Sequence, residues 1–180
     1  MIEHIFGKEI NRVQCPDREL YKNRDLTYSL DKVFALPEMQ TQWKKTAGAS
    51  MTTAEHSFIS LQNLPGAGPL TDWIVAQMSV PRKVRILNSW ANRLFPGWTG
   101  YGTYHNHLDQ HHVDLVGIFY VDVPTVGAQL IFLNDDGEKH YIQPTAGELI
   151  IHSASNLHSV GNHTENMVRT VFVFDTVYVD

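Results

Sequence analysis

From residue 83 onward the hydrophobic period of this 180-residue chain is two rather than 3.6, and that switch limits the fold more than any other feature. Segments 84–94, 113–123, 128–133, 139–142, 148–152, 157–160 and 167–179 read as strands rich in β-branched and aromatic residues. Asn134-Asp135-Asp136-Gly137 and Pro144-Thr145-Ala146-Gly147 are turn sequences between them. So many short strands, with no internal repeat and no linker, predict two packed antiparallel sheets.

The first eighty residues differ. Residues 2–6 and 10–14 read as extended pieces around Gly7-Lys8. Pro16-Asp17 can open a helix that carries Leu20, Tyr21, Arg24 and Tyr28. Residues 38–45 read as a loop or short helix, and 64–69 as a Gly/Pro loop. Over 70–80, Leu70, Trp73, Ile74, Gln77 and Met78 share one helical face, and Pro81 is the stop. The expectation is a single domain over 1–180. Residues 1–82 form an N-terminal helix/strand support region, and 83–180 form a jelly-roll core. The fold class is mainly β (α+β).

Composition narrows the function. A net charge of −5 argues against a nucleic-acid surface dominated by basic residues. The single Cys15 precludes an intrachain disulfide and fits a reducing, cytoplasmic setting. The longest apolar runs fall short of a membrane span, and Met1-Ile2-Glu3-His4 lacks the basic start of a secretory signal.

The chemistry concentrates in the run 104–114, which contains His107-Leu108-Asp109. Residues i and i+2 of an extended segment point the same way, so a His-x-Asp pair offers an imidazole and a carboxylate to one ion. A third ligand must come from another strand, and His158 is suitably distant. Two imidazoles and one carboxylate leave one face of a metal open, the pattern of non-haem Fe(II) oxygen-activating sites. Arg169, eleven residues after His158, lies among Val168, Val171, Phe172 and Val173. A guanidinium in so apolar a strand needs an anionic partner, and its planar fork suits a carboxylate. His112-Val113-Asp114 is a rival His-x-Asp pair, and His152 is a rival to His158. His105 and His111 read as flanking polar groups.

The ordered set resembles the 2-oxoglutarate/Fe(II)-dependent oxygenases of double-stranded β-helix fold, and within them the small group often called putative 2-oxoglutarate-Fe(II) oxygenases. The matching pieces are Ser89-Trp90-Ala91-Asn92, the His-rich run, Gly117–Pro124, Pro144-x-x-Gly147-Glu148-Leu149-Ile150-Ile151, His158 and Arg169. They cover roughly residues 84–177. Many members of the small group carry His-x-His where this chain has His107-Leu108-Asp109. A serine is common in the superfamily where Val171 stands.

The resemblance implies a double-stranded β-helix (jelly roll, cupin-like) and an oxidoreductase using Fe(II), 2-oxoglutarate and O2. It implies His107, Asp109 and His158 as metal ligands and Arg169, Tyr120 and Asn92 as cosubstrate contacts, with Trp98 and His112 toward the substrate. The implied reaction couples decarboxylation of 2-oxoglutarate to succinate with C–H hydroxylation of a peptide, a protein residue such as prolyl, or a small molecule. A homo-oligomer is compatible with it. Two alternatives stand beside this reading. One is a cupin-type metal enzyme without 2-oxoglutarate, using several of His105, His107, His111 and His152. The other is a non-catalytic jelly-roll binding module.

Overall fold

A computed structural model of the chain describes residues 1–46, 49–54, 60–99, 104–108 and 112–179. Among these, the strands are β1 (Ile2–Ile5), β2 (Lys8–Gln14), β3 (Ser50–Thr52), β4 (Val84–Leu94), β5 (Leu115–Asp122), β6 (Leu130–Leu133), β7 (Lys139–Ile142), β8 (Glu148–Ser153), β9 (His158–Val160) and β10 (Arg169–Tyr178). The helices are α1 (Glu19–Lys22), α2 (Arg24–Phe34), α3 (Pro37–Lys45) and α4 (Gly68–Met78).

The strands form a large sheet, β1-β2-β8-β5-β10-β4-β3, and a small one, β7-β6-β9, and every pairing in them is antiparallel. A backbone bridge between His105 and His158 adds the His105 segment to the free side of β9. Four strands of the large sheet (β8-β5-β10-β4) therefore face four segments of the small one, which is the double-stranded β-helix.

Two cores follow from strand alternation. Phe119, Val121, Leu149, Ile151, Phe172 and Phe174 face the helices, where Leu26, Leu30, Phe34, Leu70, Ile74 and Met78 meet them. Val171, Val173, Ile118, Tyr120 and Ile150 face inward against Leu130 and Phe132 of the small sheet. The central strands are covered on both faces, so they read as continuous apolar runs instead of clean alternation.

Several boundaries differ from the sequence reading. The helical stretch near residue 20 is split at Asn23, whose side chain accepts from Leu26 N at 2.9 Å and caps α2. The same amide donates to Gly66 O at 3.0 Å. Gly66 sits at φ +81°, and a Cβ there would lie 2.5 Å from Asn23 Oδ1, so only glycine admits this clasp. Asn23→Ala is expected to lower stability by about 1 kcal/mol, read as a reduced urea midpoint.

Strand β6 begins at Leu130 because Ala128 takes φ +47°, outside the extended region. Helix α4 begins at Gly68, with Pro69 in its first turn, where a missing N–H costs nothing. Strand β3 was not expected. It has three residues and exists by pairing with the end of β4. The break at residue 83 does not separate two sheets, since β1, β2 and β3 extend the large sheet at both edges. No helix among the described residues is long and apolar enough to cross a membrane.

Candidate metal centre

The inner face of β10 carries Arg169, Val171, Val173 and Asp175 in a stripe. Neighbouring strands place Asn92 and Tyr120 beside Val171, Trp90 and Ile118 beside Val173, and Asn88 and Val116 beside Asp175. His152 of β8 pairs with Val116, at the Asp175 end. The imidazoles gather at this end and the guanidinium stands at the other.

His105, His107 and His158 each offer a ligand nitrogen, and these atoms lie within 4.8 Å of one another. The His105–His158 backbone bridge sets the distance between two of them, with reciprocal hydrogen bonds of 3.0 and 2.9 Å. The His107 ring lies between Trp90, stacked at 5.8 Å and 15°, and His158, at 5.3 Å and 22°. Its Nδ1 is 2.7 Å from Asp175 Oδ1, and both side chains are nearly buried. A carboxylate only accepts, so Nδ1 carries the proton and Nε2 presents a lone pair. That Nε2 is buried with no hydrogen-bond partner among the described residues.

His158 is arranged alike. Its Nδ1 donates to Asn156 O at 2.9 Å, which leaves Nε2 as the ligand atom. Burial holds this imidazole well below its ordinary value, so it is neutral and fit to coordinate. His152 is the fourth imidazole, with its ring centre 4.7 Å from that of His158. Its Nδ1 donates to Ser153 O, its Nε2 is unpartnered, and burial lowers it to about 4. His152 thus adjoins the cluster without joining the set of three.

At the other end, Arg169 is 2 % exposed, and its guanidinium lies 5.2 Å from the centre of the Tyr120 ring. Among the described residues Arg169 Nε, Tyr120 OH and Asn92 Oδ1 are buried without partners. Burial lowers the Arg169 pKa, and it pushes Tyr120 up to about 12 against the pull of that guanidinium. The Arg169 Nε–H and the Tyr120 O–H are donors that an anion could satisfy, whereas the Asn92 oxygen accepts.

Asp109 and His111 lie outside the described residues. His112 is exposed at φ +56° and is not in the imidazole cluster. Its partner in the rival pair, Asp114, accepts from Tyr178 N at 2.8 Å and is occupied in closing the end of β10. Trp98 is half-buried with Nε1 unpartnered, and its carbonyl accepts from His163 N.

One residue of the centre, Asp175, lies outside every sequence expectation, and His105 enters them as a metal residue only in the cupin alternative, though His105-Asn106-His107 offers the i, i+2 spacing. Asp175 was overlooked, though an acid among Val173, Phe174 and Val177 is as exceptional as Arg169.

The residues present fit a metal and an acidic cosubstrate. Imidazole nitrogens suit Fe among other transition metals, and Arg169 and Tyr120 hold unspent donors.

No family model matches the sequence, and no protein of curated function matches it. Solved structures do match. One is AviO1 from Streptomyces viridochromogenes, with a TM-score of 0.63 and 12% identity over 94% of this chain and 90% of that one. A viral collagen prolyl hydroxylase from Paramecium Bursaria Chlorella virus-1, solved as a 2OG complex, has a TM-score of 0.54 and 14% identity over 97% and 98%. An oxidoreductase of the 2OG-Fe(II) oxygenase family from Burkholderia pseudomallei has a TM-score of 0.53 and 14% identity; the match spans 63% of this chain and 57% of that one. The chain therefore has the double-stranded β-helix fold seen in solved 2-oxoglutarate–Fe(II) oxygenases.

Proposed function

We propose that the protein is a 2-oxoglutarate- and Fe(II)-dependent dioxygenase, and specifically a hydroxylase. The observation that carries this reading is the stripe on β10, with a cluster of three imidazoles at one end and a buried arginine with no anionic partner among the described residues at the other. His107 and His158 are the two ligands held through Nε2. His105 is the third ligand we propose, from its place within 4.8 Å of the other two, and Asp109 is the carboxylate alternative that the His-x-Asp spacing offers. The bound ion and 2-oxo acid supply oxygen activation coupled to decarboxylation.

The chain's own residues do the rest. Asp175 and the Asn156 carbonyl keep the imidazole lone pairs pointed at one place. Arg169, aided by Tyr120 and Asn92, takes the far carboxylate of the cosubstrate. Val171, Val173, Ile118 and Trp90 line the stripe between and keep water from it. The geometry calls for no protein nucleophile. Likeness to a collagen prolyl hydroxylase supports a prolyl or other peptide residue as the substrate.

A cupin-type enzyme without 2-oxoglutarate is the second reading, favoured by His152 beside an all-imidazole set. The deciding experiment is optical. Fe(II) is added without oxygen, then 2-oxoglutarate, and the weak visible band of the chelate is followed in the native protein and in His105→Ala and Asp109→Ala. A band saturating near one equivalent, lost in His105→Ala and kept in Asp109→Ala, is the expected result. The opposite pattern makes Asp109 the third ligand. Bound iron with no band in the native protein retires the oxygenase reading for the cupin one.

A further inference from the structure

We infer that Asp175 is a positioning residue of the metal centre, and that it supplies the negative charge which a set of three imidazoles lacks. The inference rests on reading His107 as a ligand; its positioning part holds whichever residue is the third, and its charge part holds with His105 as the third.

Three observations converge. The first is the 2.7 Å contact between Asp175 Oδ1 and His107 Nδ1, made with both side chains nearly buried. A buried carboxylate without a partner is costly, so the pair is mutually required. The second is the strand itself. The β10–β4 register shifts between Asp175 and Thr176, and such a shift re-aims the side chain beside it. The third is Trp90. It lies on β4 opposite Val173, one step along the inner stripe from Asp175, and its indole covers one face of the His107 ring. Trp90 sets the plane of the ring, and Asp175 sets its rotation within that plane. Together they fix Nε2, and one ligand nitrogen of each of His105, His107 and His158 lies within 4.8 Å of the others.

Neutral imidazoles leave a divalent ion with its full charge in a mostly apolar interior. A carboxylate hydrogen-bonded to a ligand raises that ligand's basicity and offsets the charge through the ring. Asp175 thus does from behind His107 what a directly bound carboxylate does in a two-histidine, one-carboxylate site.

The test uses the full chain in three forms: native, Asp175→Asn and Asp175→Ala. Long-range proton–nitrogen NMR of the metal-free protein reads the His107 tautomer. Titration with Fe(II) against a chelator, without oxygen, reads affinity. The native protein is expected to show His107 protonated at Nδ1. Both variants are expected to bind Fe(II) roughly 10–100-fold more weakly. Asp175→Asn has nearly the native shape, so its unfolding midpoint should stay near native while its affinity falls. A purely structural role predicts the reverse, with affinity kept and the midpoint lowered.

His107 protonated at Nε2 in the native protein, or affinity within about twofold of native in both variants, overturns the inference. Should Asp175→Ala fail to fold, Asp175→Asn decides alone. Failure of the underlying reading looks different: the native protein then takes up no stoichiometric iron, and that result overturns both.

Discussion

His158→Ala is expected to strip the protein of bound iron while leaving it folded. His158 is 4 % exposed and stands at the middle of the imidazole group, with ring centres of His105, His152 and His107 at 4.5, 4.7 and 5.3 Å. Among the described residues its side chain makes one hydrogen bond, to Asn156 O, so truncation should cost about 1–3 kcal/mol of stability. The loss of affinity should exceed the roughly 10–100-fold that follows removal of a residue merely supporting a ligand. Metal analysis after anaerobic loading and desalting, with near-UV circular dichroism as the control for folding, reads both. Iron retained near one equivalent in this variant would dismiss His158 as a ligand and turn attention to His152.

Arg169→Met should separate function from stability. The native guanidinium lies in the inner core with Nε unpartnered, and burial already lowers its pKa. Replacing a buried charge by an apolar chain of similar length is often neutral or stabilising. The unfolding midpoint of the metal-free protein should therefore hold or rise. Binding of 2-oxoglutarate should weaken by about 10–100-fold, because hydrogen bonds between charged groups are worth ~1.5–3 kcal/mol. Titration of the visible chelate band and urea unfolding supply the two numbers. Unchanged 2-oxoglutarate binding would favour the cupin reading. A large fall in the midpoint would make Arg169 a structural residue with an anionic partner of its own.

Strands β4, β5, β8 and β10 were legible because each is long or strongly apolar, and β7 because turn residues bound its hairpin. Val84–Leu94 and Lys139–Ile142 coincide with β4 and β7. Strand β3 was not legible, since three residues carry no period and their pairing is decided by β4. Nor could a local pattern show that β2 joins β8 across most of the chain length. Within the site, Arg169 was found by asking what a charge does in an apolar strand. Applied to Asp175, the same question would have found that residue too. His105 enters only through the cupin alternative because His107-Leu108-Asp109 supplies a complete chemical argument alone. Spacing cannot rank two overlapping pairs that share His107; here the bridge to His158 brings His105 to the cluster.

That bridge has a mechanical consequence. His105 and His158 each give and take a backbone hydrogen bond, and in the proposed reading both side chains hold the same ion. The ion is then a removable rivet between two segments distant in the chain. Its binding free energy adds to the local stability of the His105 segment, which among the described residues is joined to β9 by the His105–His158 bridge. Iron occupancy and closure of this side of the barrel would then be one equilibrium, and an iron-depleted cell would hold the protein with its active-site seam ajar.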